Sequence, residues 1–261
     1  MDLGLTGKVA LVLASSRGLG QAMAVSLARE GVKVAVTGRN AEGLKKSVEL
    51  IEAVGGKALA LHWDLSDNSV IDSLITNVEQ ELGPIDILIN NTGGPPPTPA
   101  AGQDPALWQK SFNDMVLSLM SITDRVLPGM RERKWGRIIT STTSGAIAPI
   151  KNLAISNTLR AALLAWSKTL AAEVAVDGIT VNVIMPGRVA TDRLRQLDEA
   201  RAQRENISYD SAVQLGLKQI PMGRYGDPQE YGDAAAFLAS QNASYITGSV
   251  IRVDGGQIQA I

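Results

Sequence analysis

Residues 8–31 read KVALVLASSRGLGQAMAVSLAREG. Positions 9–14 are apolar without interruption, which is typical of a strand covered on both faces in a parallel sheet. Gly18 and Gly20 follow this run, and apolar residues then recur at helical spacing. A strand, a glycine turn and a helix N-terminus in this order present free backbone N–H groups at the positive end of a helix dipole. The stretch therefore predicts a binding site for the pyrophosphate of a nucleotide.

The rest of the chain repeats the pattern of a strand followed by a helix. Such β-α-β units predict a parallel sheet with helices on both faces, and a ligand that binds beyond the carboxyl ends of the strands. No linker, repeat or low-complexity segment divides the chain, so we expect a single α/β domain over residues 1–261 with a doubly wound, seven-stranded parallel sheet. The predicted strands lie at 9–14, 33–37, 58–62, 85–90, 137–141, 180–184 and 249–253.

The composition excludes several classes of function. The formal net charge is −1, which argues against a nucleic-acid-binding surface. The chain has no cysteine and one histidine, so thiolate chemistry and disulfides are excluded and we expect no metal site. No apolar run has the length of a membrane span, and the first residues lack the pattern of a signal peptide. We therefore expect a cytoplasmic protein that binds neither a membrane nor nucleic acid.

Residues 188–226 form a long, polar, arginine-rich segment between the sixth predicted strand and the last helix. One interpretation is a helical hairpin whose charges are solvated. The other, which we favour, is a substrate lid, because long segments beside a ligand pocket often have this role.

Six motifs occur in a fixed order along the chain. They are ASSRGLG at 14–20, WDLSD at 63–67, NNTGG at 90–94, GRIITSTTSG at 136–145, VNVIMPGRVATD at 181–192 and ITGSVIRVDGG at 246–256. Together they resemble the short-chain dehydrogenase/reductase family, and most closely its 3-oxoacyl-acyl-carrier-protein reductase-like branch. The resemblance covers essentially the whole chain. It implies a Rossmann fold, a nicotinamide dinucleotide and the reduction of a carbonyl group.

The resemblance also implies a set of cofactor-binding residues. Ala14 occupies the place of the first turn glycine of the family, and we expect the turn to avoid the left-handed region there, because alanine adopts positive φ only with strain. Asp64 and Thr191 have an alternative, compatible interpretation as helix caps. The implied residues are Ala14, Ser16, Arg17, Gly18, Leu19, Gly20, Arg39, Asp64, Leu65, Asn91, Thr92, Gly93, Arg160, Pro186, Gly187, Val189 and Thr191.

The charges near the second strand indicate which dinucleotide binds. Family members that prefer NAD(H) carry an acid at the end of that strand, where this chain reads Thr37-Gly38-Arg39. Arg17 and Arg39 could bind a 2′-phosphate, and no carboxylate at this position would repel it. We favour NADP(H), with NAD(H) as the alternative. In the opposing interpretation, Arg39 is a solvated turn residue.

The catalytic positions depart from the family pattern. Where the family has Tyr and a Lys four residues later, this chain has Ser156 and Arg160; where it has Ser and Asn, this chain has Thr143 and Met115. Ser156 is a poor proton donor, since an alcohol is far less acidic than a phenol, and an arginine does not release its proton. Thr143, Ser156 and Arg160 can still donate hydrogen bonds to an oxyanion.

Three hypotheses follow. The favoured one is an NADP(H)-dependent oxidoreductase that reduces a ketone or a 3-oxoacyl thioester with Thr143, Ser156 and Arg160 as catalytic residues. The alternatives are a nucleotide-binding protein without redox activity, acting as a regulatory or partner subunit, and a lyase or isomerase built on the same scaffold. Because family members commonly form tetramers and Ile258 and Ile261 are apolar, we expect a homotetramer or a dimer.

Overall fold

The computed structural model describes residues 2–259. Its seven strands form one sheet in the order β3-β2-β1-β4-β5-β6-β7, and every pairing is parallel. This arrangement confirms the predicted fold class, and all seven predicted strands are present. The strands are β1 Val9–Val12, β2 Lys33–Gly38, β3 Ala58–His62, β4 Ile87–Asn90, β5 Gly136–Ser141, β6 Ile179–Pro186 and β7 Val250–Val253.

Helices cover both faces of the sheet. They are α1 Gly18–Arg29, α2 Ala41–Ala53, α3 Ile71–Glu81, α4 Pro105–Phe112, α5 Ser118–Glu132, α6 Ala154–Val174, α7 Asp192–Glu205, α8 Tyr209–Leu217 and α9 Pro228–Ala239. One apolar core lies between the sheet and α3, α5 and α6, and a second lies between the sheet and α1, α2 and α9. Because both faces are buried, the central strands are apolar at nearly every position, as the sequence predicted.

The strand order reverses direction at β1, which pairs with β2 on one side and β4 on the other. The loops that leave the carboxyl ends of β1 and β4 therefore diverge to opposite sides of the sheet and open a crevice. This crevice contains the turn that joins β1 to α1, which is the segment that the sequence selects as a pyrophosphate site.

The segment 188–226 is closed at its base. Val189 and Gly226 form a parallel β-bridge, in which the Ala190 N–H donates to Gly226 O at 2.8 Å and the Gly226 N–H donates to Arg188 O at 2.9 Å. Between these ends, α7 and α8 pack against each other. The segment is thus a helical hairpin attached to the sheet through a narrow neck.

The start of α9 follows the capping rules. Asp227 and Glu230 form a reciprocal capping box, and Pro228 occupies the first helical position. Between residues 2 and 259, no helix is long and apolar enough to cross a membrane.

Candidate active site

The turn after β1 contains a strained residue. Ala14 has φ +46°, so it adopts the left-handed conformation that we expected the turn to avoid. The prediction was wrong because the surroundings hold the backbone: the Ala14 N–H donates to Thr37 Oγ1, and Ala14 O accepts from Asn91 Nδ2 at 3.2 Å. Left-handed geometry costs a residue with a Cβ about 1–2 kcal/mol. The turn therefore adopts at Ala14 a conformation that favours glycine, at the expense of strain.

The two glycines of the turn have different roles. Gly18 has φ +60°, which favours glycine. Gly20 leaves no room for a side chain, since an added Cβ would lie within 2.9 Å of both Ser15 Cα and Asn91 Nδ2. Gly18 thus provides the positive φ that the turn needs, and Gly20 allows α1 to start directly against the ends of β1 and β4.

The N-terminus of α1 carries no side-chain cap. Its N-cap residue, Arg17, makes no capping hydrogen bond, and the first turn contains no acidic residue. Side chains cap α2, α4, α7, α8 and α9, through Asn40, Asp104, Thr191, Ser208 and Asp227 respectively. The helices α3 and α5 continue directly from other helical turns, and α6 also begins without a side-chain cap. The first turn of α1 therefore keeps free N–H groups and a positive dipole end for an anion.

Loops from the far side of the crevice meet this turn. Asn91, after β4, donates to Leu13 O and Ala14 O, both at 3.2 Å. The methyl group of Thr191 lies 3.8 Å from the position of a Cβ on Gly18. Thr191 also caps α7 by accepting from the Leu194 N–H. The structure thus brings together residues that the resemblance assigned to one cofactor site.

The outer end of the crevice carries one positively and one negatively charged side chain. Arg39 is largely exposed and lies 3.7 Å from the carboxylate of Asp64. Asp64 accepts hydrogen bonds from the backbone N–H and the hydroxyl of Ser66, and the backbone hydrogen bond is the main reason why the pKa of Asp64 is lowered. Asp64 does not cap a helix, because Asp67 is the N-cap of the following turn. The ion pair is solvent-exposed and therefore weak, so Arg39 is free to bind another anion.

The remaining residues of the predicted set lie near the carboxyl ends of β1, β3 and β6; among them, Leu19 packs against the core and Pro186 ends β6. Ser16 packs against Gly38 at the end of β2, and Leu65 packs against the core beneath α3. Gly187 follows β6, where an added Cβ would lie 2.6 Å from the backbone of Asp254. Val189 is buried at the neck of the helical hairpin. None of these side chains carries an ionisable group, so they add no charge to this region.

Arg160 is buried at the inner end of the crevice. Its Nη1 donates to Ser141 O at 2.8 Å, and its Nη2 donates to Thr92 O at 3.0 Å and to Gly93 O at 3.4 Å. The guanidinium therefore joins the end of β5 to the loop that follows β4. Burial lowers the pKa of Arg160 to about 10, so the group remains positive at neutral pH. The sequence predicted a cation at this place but not its three carbonyl partners.

The two hydroxyl residues of the predicted site lie on either side of a short loop. Ser156 is half-buried, one turn before Arg160 on α6. Thr143 follows β5 and caps the 3₁₀ turn Ser144–Ala146 by accepting from the Gly145 N–H. Asn157 fixes this region, since its Nδ2 donates to Ile150 O at 2.9 Å. Within residues 2–259, the Ser156 hydroxyl makes no hydrogen bond, so it is available to a ligand.

Met115 lies in a π-helical segment, Asn113–Leu117, that separates α4 from α5 and packs against α6. Its side chain is 4 % exposed and belongs to the apolar core. A π-bulge often marks a functional site. Here, however, the residue that the resemblance sets in the place of the family's asparagine is apolar, so its side chain cannot donate a hydrogen bond to a water.

The helical hairpin contains a buried polar cluster that the sequence did not reveal. Asp198 is 1 % exposed and accepts from Arg188 Nη1 and from the Tyr225 hydroxyl, both at 2.7 Å. Burial, followed by this hydrogen bond, raises the pKa of Tyr225 to about 12. The cluster fixes α7 to the neck of the hairpin. Nothing in the spacing of these three residues predicts the contact, because they come from separate segments.

Across residues 2–259, His, Asp and Glu side chains nowhere form a group of three that could hold a metal ion.

Comparisons with known proteins agree with this geometry. The family model described as enoyl-(acyl carrier protein) reductase matches residues 13–257. The chain is 37 % identical over 252 residues to the 3-oxoacyl-(acyl-carrier-protein) reductase of Salmonella typhimurium, covering 96 % of this chain and 97 % of that protein. It is 35 % identical over 250 residues to the acetoacetyl-CoA reductase of Shinella zoogloeoides, covering 96 % and 98 %. Among solved structures, L-sorbose reductase from Gluconobacter frateurii, in complex with NADPH and L-sorbose, superposes with a TM-score of 0.93 at 31 % identity and full coverage of both chains.

Proposed function

Because this chain belongs to the short-chain dehydrogenase/reductase family, an oxidoreductase family that interconverts alcohols and carbonyl compounds with nicotinamide cofactors, we propose that it is an NADP(H)-dependent reductase of a ketone or a 3-oxoacyl thioester. The observation that carries this proposal is the uncapped N-terminus of α1 behind a turn whose glycine-like geometry is preserved even at Ala14. Such strain persists only where the surroundings enforce it, often at a functional site.

The residues present fit a dinucleotide. Gly18 and Gly20 leave the backbone bare beside the start of α1, and Asn91 and Thr191 close the crevice from the other side. Arg17 and Arg39 are exposed cations at its outer end, which favours a 2′-phosphate and hence NADP(H) over NAD(H). The relative from Gluconobacter frateurii was solved with NADPH, which supports the same choice. Bound NADPH would supply the hydride.

The chain's own residues would stabilise the negative charge on the substrate oxygen. Arg160 holds a positive charge in a buried site, where electrostatic interactions are stronger than in water. Of the five N–H groups of a guanidinium, three are engaged with carbonyls, and we assign the other two, which make no hydrogen bond within residues 2–259, to the cofactor or the substrate. Ser156 and Thr143 would donate hydrogen bonds from their hydroxyl groups. We propose these three residues as the catalytic set, with the proton drawn from water.

NADPH binding and NADPH oxidation test this proposal separately. Fluorescence titration measures the affinity for NADPH, and the loss of NADPH absorbance is then followed with a panel of ketones and 3-oxoacyl thioesters. We expect tight binding and turnover of at least one ketone, with Ser156→Ala slowing turnover. Thr158→Ala, at an exposed position on the same helix, is the matched control and should have no effect.

A second candidate is a nucleotide-binding protein without redox activity, and the observation that favours it is the buried, apolar Met115 where the family holds its asparagine. A lyase or isomerase that uses Arg160 as an anion receptor is the third. Tight NADPH binding without oxidation across the whole panel would overturn the proposed reduction and favour one of these two.

We also propose that 188–226 is a substrate lid and that the chain assembles into a homotetramer or a dimer in the cytoplasm. The lid proposal is supported by the narrow neck at Val189 and Gly226. The assembly proposal is supported by the half-exposed edge strand β7 and by the exposed apolar side chains of Tyr245 and Val250 near it. Ile261, which entered the prediction of a subunit interface, lies outside the described residues. A monomeric mass by light scattering at micromolar concentration would contradict the assembly.

A further inference from the structure

Almost all arginines of the helical hairpin and its neck lie within ion-pair distance of a carboxylate. Five of the six arginines between positions 188 and 226 form an ion pair with a carboxylate. Arg193 is the exception, because no carboxylate within residues 2–259 lies in salt-bridge distance of it. The five pairs are Arg188–Asp198, Arg195–Asp192, Arg201–Glu205, Arg204–Glu205 and Arg224–Glu230. Within residues 2–259, Arg193 is thus the arginine of this segment whose charge has no carboxylate partner; Lys218, an exposed lysine at the end of α8, is a second unpaired cation, distant from it along the chain.

Arg193 lies at the mouth of the crevice. It is in the first turn of α7, and its Nη2 donates to Pro95 O at 3.3 Å, against the backbone of Gly94. A single hydrogen bond to a neutral carbonyl leaves most of the guanidinium N–H groups without a partner within residues 2–259. Because Gly94 has no side chain, this residue places no atoms beyond its backbone next to the guanidinium of Arg193.

Two arginines, one buried and one exposed, contact the same short loop. Arg160 donates to the carbonyls of Thr92 and Gly93, and Arg193 donates to the carbonyl of Pro95. Successive residues are 3.8 Å apart along the chain, so the two guanidiniums bind a stretch of backbone no longer than roughly 12 Å.

We propose that Arg193 determines substrate specificity by binding an anionic group, carboxylate or phosphate, on the ketone that this enzyme reduces. The inference rests on the proposed function, since it names the substrate class of the same site. A guanidinium binds either anion through paired hydrogen bonds, and the unpaired state of Arg193 avoids the competition that a neighbouring carboxylate would create. Arg193 is a substrate-binding residue in this account, and Arg160 stabilises the reacting oxygen.

Matched ligands test the inference without requiring turnover. The probes are a series of 2-, 3- and 4-oxocarboxylic acids, each with its methyl ester, together with acetoacetyl-CoA. Their binding to the protein saturated with NADP⁺ is measured by calorimetry, and their reduction is measured with NADPH. The variants are Arg193→Gln and, as a matched control, Arg195→Gln, which removes a guanidinium from the same helix that is already paired with Asp192.

We expect at least one anionic probe to bind better than its neutral counterpart, and Arg193→Gln to weaken that binding by about 10- to 100-fold, the factor for losing a charge-assisted hydrogen bond. The ester should lose little, and Arg195→Gln should change neither. If a free acid binds better than its methyl ester, the anionic group of the substrate is a carboxylate. If only acetoacetyl-CoA binds better than the esters, the anionic group is a phosphate.

Two outcomes would overturn the inference. One is equal binding of acids, esters and acetoacetyl-CoA by the native protein. The other is an equal effect of Arg193→Gln and Arg195→Gln on the anionic probes. If anionic probes bind through Arg193 but NADPH is not oxidised with any ketone, the proposed reduction fails while this inference stands.

Discussion

The turn that joins β1 to α1 and the first turn of α6 lie at the same edge of the sheet, but they have diverged from the family pattern to very different degrees. In the β1–α1 turn, where the resemblance places a glycine, Ala14 adopts a left-handed conformation at φ +46°. At the start of α6, where the resemblance places Tyr and Lys, the chain carries Ser156 and Arg160. On our proposal, the first departure leaves the backbone fit for a cofactor, and the second changes the side-chain chemistry where the substrate would react.

This difference has a physical basis. A pyrophosphate is bound by backbone N–H groups and a helix dipole, which tolerate many side chains as long as the turn keeps its shape. Proton transfer depends on the acidity of particular side chains, so an exchange of Tyr for Ser changes the reaction itself. We expect nucleotide binding to resemble that of the family and catalysis to differ from it.

The largest effect should come from removing the buried cation with Arg160→Met. Three backbone carbonyls would lose their partner in a buried site, so the free energy of unfolding should fall by about 2–4 kcal/mol and kcat/KM by at least about 100-fold. Denaturant unfolding and steady-state kinetics measure the two quantities. Lys168→Met is the matched control, because Lys168 also donates to a backbone carbonyl, Gly248 O, but from an exposed position on the same helix. A similar loss in both variants would argue against a special role for Arg160.

A smaller effect, in the opposite direction, is expected when the family pair is restored with Ser156→Tyr and Arg160→Lys. A phenol is a competent general acid, so the double variant should reduce ketones about 10- to 100-fold faster.

The pH dependence of kcat/KM should also differ between the native protein and this double variant. In the native protein, kcat/KM should be flat between about pH 7 and 9, since Arg160 has a pKa of about 10 and Ser156 does not titrate. The double variant should show a titration within or near this interval; an unchanged rate and a flat profile would mean that residue 156 does not take part in the chemistry.

Next in size is the change in cofactor preference. Arg39→Asp should lower the affinity for NADPH relative to NADH by about 10-fold or more, because a carboxylate would repel the 2′-phosphate and accept from a ribose hydroxyl. Fluorescence titration with both cofactors gives the ratio of dissociation constants. Arg29→Asp, at the far end of α1, controls for the general change of charge. If the ratio of the two affinities does not move, Arg39 is only a solvated turn residue.

The smallest effect concerns the strained turn. Ala14→Gly should increase the free energy of unfolding by about 1 kcal/mol through relief of the left-handed conformation, with little change in the affinity for NADPH. Thermal or denaturant unfolding provides the measurement. Ala190→Gly, at a position without positive φ, should not stabilise the protein. A destabilised Ala14→Gly variant would show that the strain is offset by contacts of the methyl group.

The fold could be predicted from the sequence because its determinants are local. Apolar runs such as 9–14 mark strands that are buried on both faces, and the capping box at Asp227 marks the start of α9. The conformation of Ala14 could not be predicted, because an intrinsic preference of alanine is overridden by hydrogen bonds to Thr37 and Asn91, which are distant in sequence.

The candidate site was predictable in part. Residue identities at 143, 156 and 160 follow from the motifs, but the carbonyl partners of Arg160 come together only when β4, β5 and α6 pack. The unpaired state of Arg193 has a local signal in the sequence: positions 189, 190, 196 and 197 around it carry no carboxylate, whereas Arg195 and Arg201 each have one three or four residues away. The buried contact of Asp198 with Tyr225 had no such signal.

A crystal structure of the complex with NADP⁺ tests the central claim most directly. We expect the pyrophosphate at the N-terminus of α1 beside Gly18, and the nicotinamide ring facing the hydroxyl of Ser156 and the guanidinium of Arg160. A dinucleotide bound elsewhere, or one whose ring faces away from both side chains, would contradict this account.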